Sequence, residues 1–291
     1  MESLTYPVGL LCRVMEVGRA GYYAYLKRKV RPQAARELLQ AKQVKECFEF
    51  HRRRYGSRRI AKDVKIGRFL ARRLMREQGL KAIQPKSFVP KTTTSGHGGR
   101  ISPNLLKENK VESFEKGQMI VGDITYIPLK NGKFCYLATF QDKYTRRIVG
   151  WAIMAEMTAE LVVRALLMGL RRGLIGKNAI IHTDRGSQYV SNVYRDLLKT
   201  RGLRQSMSGK GNCYDNAQAE SFFARFKTEL VEGGVFESVE QARSETFSYI
   251  EGYYNRIRKH SGLGYLSPME FEKQLKTKKV RSSVRVVSTL T

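Results

Sequence analysis

The chain has 291 residues, 54 Lys and Arg against 26 Asp and Glu, and a net charge of +28 at pH 7. That field does not suit an enzyme of small molecules and calls for a polyanionic partner; a simply solubilising surface is the plain alternative, while a small ribosomal protein is opposed by the aromatic content and by long apolar strands in the second half. No run of about 18 apolar residues occurs, so no transmembrane helix is expected, and the opening residues lack the basic and apolar regions of a secretory signal.

The length suggests about two domains of ~150 residues. The charge is uneven, with 26 basic and 8 acidic residues in 1–110. The N-terminal part is therefore the denser phosphate-binding candidate. Cys12, Cys47, Cys135 and Cys213 are scattered, as are His51, His97, His182 and His260, and no CxxC occurs. Neither a zinc ribbon nor a redox motif is supported, and reduced cytoplasmic thiols are expected.

Residues 7–29 read as two short helices split at Gly18. Residues 34–54 read as one amphipathic helix, broken by Tyr55-Gly56-Ser57, with Ser57 placed to cap the next. Residues 67–78 form a further helix closed by Gly79. Short helices, tight turns and Arg clusters, including Arg58 and Arg59, suggest a helix-turn-helix-like module over 1–81. Residues 82–111 lose periodicity and gather Thr, Ser, Gly and Pro, as a basic linker does.

From 118 the pattern turns to strands: 118–129, an Asn131-Gly132 hairpin turn, 133–144, and 146–154. A helix over 158–173 follows, capped by Thr158. Then come an apolar strand over 178–184, a helix over 192–202, a short strand over 204–208, a helix that Asp215 or Asn216 can cap, and a long helix over 238–257. This is an α/β layered domain over 112–275, followed by a basic tail, 276–291.

Three carboxylates stand out. Asp123 lies mid-strand in VGDITYI, where a polar residue belongs on the solvent face unless it serves a site. Asp184 ends the strand IIHTD, where α/β folds gather ligand-facing residues. Glu220 sits among Ala217, Ala219, Phe222 and Phe223 on a helix, with Lys227 two turns along the same face. Converging carboxylates repel, and a divalent cation relieves that repulsion. Oxygen-only ligands suit Mg²⁺ or Mn²⁺, and a pair of such ions serves phosphoryl transfer. Taken singly, each has an ordinary reading: an edge residue, a strand-end cap, and a solvated helix carboxylate. His182 shares a face with Asp184 and reads first as a structural histidine. Ser187 and Gln188 are placed to meet DNA from the loop. Tyr254 and Arg256, in YYNRIRKH, read either as a DNA-facing strip or, for the aromatics, as packing.

Seven blocks in order resemble one family. CRVMEVGRAGYYAYLKR (12–28) matches its opening, and YGSRRI (55–60) with RRLMREQGL (72–80) its helical region. GDITYI (122–127), HTDRGSQY (182–189) and NCYDNAQAESFFARFKTEL (212–230) match its acidic blocks, with 35 residues between Asp184 and Glu220. YYNRIRKHSGLGYLSPMEFE (253–272) matches its C-terminal signature. The chain resembles the second-reading-frame (OrfB) transposases of IS-three-type bacterial insertion sequences, which carry a retroviral-integrase-like core.

The resemblance implies an RNase H-like fold, a mixed sheet with flanking helices behind a small all-α domain. It implies a DDE triad at Asp123, Asp184 and Glu220, and Lys227 as a contact to element-end DNA. Arg58, Arg59, Arg185, Gln188 and Arg256 are the further expected DNA contacts. The implied reaction is Mg²⁺- or Mn²⁺-dependent strand cleavage and strand transfer. The implied partners are double-stranded DNA at element ends and target, further copies of the chain on that DNA, and the first-frame (OrfA) protein, free or fused. A bacterial cytoplasmic, nucleoid-associated location follows. The chain departs from the pattern at Ile120, where the family has Trp, and in a shorter stretch between Ile60 and RRLM. It has no His/Cys zinc set of the retroviral kind, which this family lacks too. A metal nuclease that cuts without joining, and a non-catalytic regulator from a degraded element, are the competing functions.

Overall fold

The computed structural model describes residues 6–30, 35–84, 101–108, 115–209, 217–231 and 234–277. Most of the expected linker, the expected caps Asp215 and Asn216, and the tail beyond 277 lie outside the described residues. The chain divides into two compact units, Met1–Ala82 and Ile83–Thr291.

The first unit is helical: α1 (Val8–Val14), α2 (Arg19–Val30), α3 (Ala35–Phe50), α4 (Ser57–Asp63) and α5 (Arg68–Glu77). Val44 and Phe48, one turn apart on α3, are buried together with Tyr55, Ile60, Ala71 and Leu74. Ser57 is the first helical residue and does not cap; Gly56 holds the cap position in extended conformation, with no side-chain bond. Gly79 closes α5 as expected, at φ +66°. Its N–H bonds the Arg76 carbonyl and the Leu80 N–H bonds that of Met75. This double bond pattern requires a left-handed residue, which glycine adopts without strain.

The second unit holds α6 (Leu105–Glu108) and a five-stranded sheet of β1 (Met119–Pro128), β2 (Phe134–Asp142), β3 (Ile148–Met154), β4 (Ile180–Thr183) and β5 (Arg204–Met207), in the order β3-β2-β1-β4-β5. β1, β2 and β3 run antiparallel, and β4 and β5 extend the sheet in parallel from β1. Between them lie α7 (Ala159–Arg171), α8 (Ser187–Val190) and α9 (Asn192–Thr200), with α10 (Ala217–Phe226) and α11 (Val239–Phe247) after β5. Apolar residues from both sheet and helices, among them Ile120, Phe140, Leu161, Leu166, Ile181 and Leu198, form one core.

Three local expectations change. β3 begins at Ile148, because Arg146 adopts φ +59° in the preceding turn. That turn is organised by Asp142, whose carboxylate accepts the N–H groups of Gly117, Tyr144 and Thr145 at 2.6, 2.9 and 2.8 Å. Thr158 occupies the α7 cap position but makes no capping bond. The long helix expected over 238–257 is α11 continuing into a wider π-helical stretch, Ser248–Tyr254. A last helix, α12, spans 268–277. Ser267 Oγ accepts the Glu270 N–H, and Glu270 Oε2 accepts the Ser267 N–H, the reciprocal arrangement that starts a helix.

Candidate active site

β1 and β4 are paired in parallel, with Val121 opposite His182. Two residues further along each strand lie Asp123 and Asp184. Side chains alternate along strands, so the two carboxylates leave the sheet on the same side. Asp123 is half-buried within β1, facing Thr139 of β2 across the antiparallel rung. Asp184 follows the last residue of β4, where its Oδ1 accepts the Gly186 N–H at 3.0 Å.

The third carboxylate arrives on α10. Ala219, Phe222, Phe223 and Phe226 bury one side of that helix and leave Glu220 exposed. Gln218 donates to the backbone carbonyls of Asp142 and Lys143 at 3.4 and 3.2 Å. Its amide therefore ties the first turn of α10 to the β2–β3 turn. The sequence carried no sign of this beyond its place two residues before Glu220.

The electrostatics report convergence. Burial, then the nearby Asp184, and then Glu220 push the Asp123 carboxyl from its ordinary 3.8 up to about 8, against a lowering by the Ile124 N–H and Lys227. Burial also raises Glu220. Lys227 opens a π-helical turn, Lys227–Val231, directly after α10. Burial lowers its pKa and Asp123 raises it. Its ammonium lies 4.1 Å from the centre of the Tyr126 ring, within cation–π range. Asp123, Asp184, Glu220 and Lys227 thus form one constellation, with exposed Tyr126, which sequence reasoning missed, beside it.

The other expected residues are distributed differently. His182 is fully buried, with Nδ1 2.8 Å from Ser206 Oγ on β5, a structural role. Arg185 Nε donates to the Ser208 carbonyl at 2.9 Å, and the Gln188 amide to that of Met157 at 3.0 Å. Arg256 is exposed. Tyr254 is packing rather than a DNA-facing strip: it is buried, edge-on to Phe222, and its hydroxyl accepts from Gln141 at 2.9 Å. Beside it, Arg258 and Glu229 form a buried bidentate pair with contacts of 2.6–3.1 Å, and Tyr249 donates to Glu229 at 2.9 Å. In the first unit, Arg58 is exposed and Arg59 lies over the Tyr55 ring at 5.6 Å.

The family comparisons agree with this architecture. Integrase core domain models match residues 115–213 and 220–275, and an HTH-like domain model matches 33–88. The chain is 38% identical over 274 residues to the transposase InsF for insertion sequence IS3A of Escherichia coli (strain K12), covering 92% of this chain and 94% of that protein. The chain belongs to the transposases of IS3-type insertion sequences. It is also 36% identical to an insertion element IS600 31 kDa protein of Shigella sonnei, covering 91% of this chain and 98% of the relative. A fainter structural likeness is to the catalytic core domain of BIV integrase, at 18% identity and a TM-score of 0.41, over 56% of this chain and 99% of that one. As a transposase of this family the protein is an enzyme acting on DNA, with an integrase-type polynucleotidyl transferase core and a helix-turn-helix-like domain. Among the described residues no helix is long and apolar enough to cross a membrane.

Proposed function

We propose that Asp123, Asp184 and Glu220 are the catalytic carboxylates with which this transposase cuts and joins insertion-sequence DNA. The observation that carries the assignment is the convergence of three carboxylates, Asp123 on β1, Asp184 just past the end of the paired strand β4 and Glu220 on α10, near enough that both neighbours raise the Asp123 carboxyl. Such a set is poorly stable as three anions and suits divalent cations. Its donors are all carboxylate oxygens, which fits a pair of Mg²⁺ or Mn²⁺ ions. When bound, they supply Lewis-acid stabilisation to the attacking and leaving oxygens at phosphorus.

The chain's own residues do the rest. Asp123 is held within β1, and Asp184 directly follows the paired strand β4, where the Gly186 N–H holds its carboxylate. Glu220 comes from a helix anchored by Gln218 and by the phenylalanine face, and it closes the set from the solvent side. Lys227, steadied on Tyr126, offers a cation to a DNA phosphate next to Asp123. In the first step water forms a P–O bond at the element end and the bond to the 3′ oxygen breaks, leaving a 3′-OH. In the second, that 3′-OH attacks another phosphodiester and displaces its 3′ oxygen. Arg58, Arg59, Arg185, Gln188 and Arg256 are assigned as supporting DNA contacts. Arg185 and Gln188 would exchange their present backbone carbonyls for phosphate.

Both ends of the element must meet for joining, so the working form is proposed as several copies on DNA, with the first-frame protein bound or fused. Its setting would be the bacterial cytoplasm, at the nucleoid. The test incubates the protein, and a form fused to the upstream frame, with Mg²⁺ and a labelled duplex ending in the element's terminal repeat. Nicking at the repeat tip plus joined product, lost in Glu220→Gln, is the expected result. Cutting without joining would favour a nuclease. Binding without reaction in either form would favour a regulator.

A further inference from the structure

The scattered Cys and His residues conceal one cluster. Cys47 and His51 stand one turn apart on α3 and at its end, and Asp63 closes α4. His51 Nε2 lies 2.8 Å from Asp63 Oδ2, and Cys47 Sγ lies 3.4 Å from the same oxygen. All three donor atoms lie within 4.8 Å of one another. The His51 imidazole is buried, stacked on Tyr55 at 3.5 Å between ring centres, with Phe50 edge-on at 5.0 Å. Its plane is therefore fixed. Cys47 and Asp63 also line an open cavity of about 410 Å³ with Gln43, Glu46, Phe50 and Val64.

We propose that Cys47, His51 and Asp63 form a zinc-class metal site in the helix-turn-helix-like domain. The donors are one sulfur, one nitrogen and one oxygen, a set that suits Zn²⁺ and is ill-matched to Mg²⁺. It differs in chemistry from the oxygen-only catalytic carboxylates. The donor separations are close to those of ligands sharing one tetrahedral ion, so small side-chain rotations complete it. The cavity gives an entry path and leaves the fourth position to water. On binding, the Cys47 S–H bond breaks, a sulfur–metal bond forms and the proton passes to solvent. His51 Nε2 now donates to Asp63 Oδ2, so its N–H bond also breaks and the ring is left as the neutral Nδ1–H tautomer, whose Nε2 lone pair binds the ion. The Asp63 carboxylate binds without bond breaking. The ion replaces the hydrogen bonds that now link these groups and joins the end of α3 to the end of α4.

The test titrates Co²⁺, a spectroscopic stand-in for Zn²⁺, into the full chain carrying Asp123→Asn and Asp184→Asn, which removes the catalytic carboxylates as competing ligands. One equivalent is expected to give a thiolate-to-cobalt charge-transfer band, lost in Cys47→Ser and displaced by Zn²⁺. Absence of the band, or its survival in Cys47→Ser, overturns the proposal. Should Cys47→Ser fail to fold, peptide mass spectrometry on the unsubstituted protein follows iodoacetamide alkylation. Zn²⁺ is expected to slow labelling of Cys47 and leave Cys12 and Cys135 unaltered. An unchanged Cys47 rate overturns the site.

Discussion

Asp123 on β1 and Asp184 just past the end of the adjacent parallel strand β4 each lie two residues beyond the Val121–His182 pair. Pairing of β1 with β4 therefore brings together two carboxylates that 60 residues of chain separate. With its pKa near 8, Asp123 carries a proton at neutral pH when no cation is bound. Cation binding must expel it. Calorimetry at pH 7 in two buffers of different ionisation enthalpy is expected to show proton release on Mg²⁺ or Mn²⁺ binding, and none in Asp123→Asn. Equal heats in the two buffers would remove Asp123 from the site.

The same shift fixes a stability trend without cations. The folded state holds the Asp123 proton up to about pH 8, whereas the unfolded chain releases it near 3.8. Between those values the native state binds more protons, so stability falls as pH rises through that window and is flat outside it. Asp142 and Glu220, also raised, act in the same direction. Urea unfolding across this range is therefore expected to show a shallower decline in Asp123→Asn than in the unsubstituted chain. Identical slopes would contradict the raised pKa.

Lys227 joins the carboxylates to the surface that would meet DNA. Its place over Tyr126 holds the ammonium without removing its charge. Lys227→Ala is expected to weaken binding to element-end duplex and to lessen the salt dependence by about 0.9 in log–log slope, one phosphate contact. Lys227→Arg should keep most of both, and Tyr126→Leu should weaken binding with the slope unchanged. Fluorescence anisotropy at several salt concentrations separates these cases.

The carboxylates were legible because their chemistry is unusual where they stand: an acid within an apolar strand, another at a strand end, a third on a phenylalanine-rich helix. Their register was not, since parallel pairing of β1 with β4 joins segments far apart in sequence. Strand limits failed where a side chain outside the strand set the turn, as Asp142 does for Arg146. The α12 start is legible in Ser267-Pro268-Met269-Glu270, a capping sequence that lies outside the expected elements. Cys47 and His51 likewise stand at helical i, i+4 spacing, but their third neighbour, Asp63, belongs to another helix. Long-range partners such as Gln218 and the buried Glu229–Arg258 pair carry no local pattern at all.

Close approach of β3 to α7 makes Gly150 sensitive. A Cβ there would meet the Ala165 carbonyl oxygen at 2.1 Å and the Gly169 nitrogen at 2.9 Å, both backbone atoms. Neither can move without shifting the helix. Gly150→Ala is expected to destabilise the chain by about 1–3 kcal/mol, the usual range for an overpacked interior. Gly252, where a Cβ would find nothing within 4 Å, is the control. Paired chemical denaturation curves decide between them.

Arg258 and Glu229 form a buried ion pair that links the turn after α10 to the segment after α11. Both are buried, the guanidinium bonds both carboxylate oxygens, and Tyr249 donates a third bond. Glu229 lies on the π-helical turn that begins with Lys227, so the pair also fixes the turn that aims that lysine. Arg258→Met leaves a carboxylate buried without its cation and is expected to destabilise by roughly 3–5 kcal/mol. The double variant Arg258→Met, Glu229→Leu removes both charges and should recover much of that loss. A double-mutant cycle by urea denaturation measures the coupling. Additive effects would show the pair to be independent, and strand-transfer activity in the double variant would show whether charge or packing holds Lys227 in place.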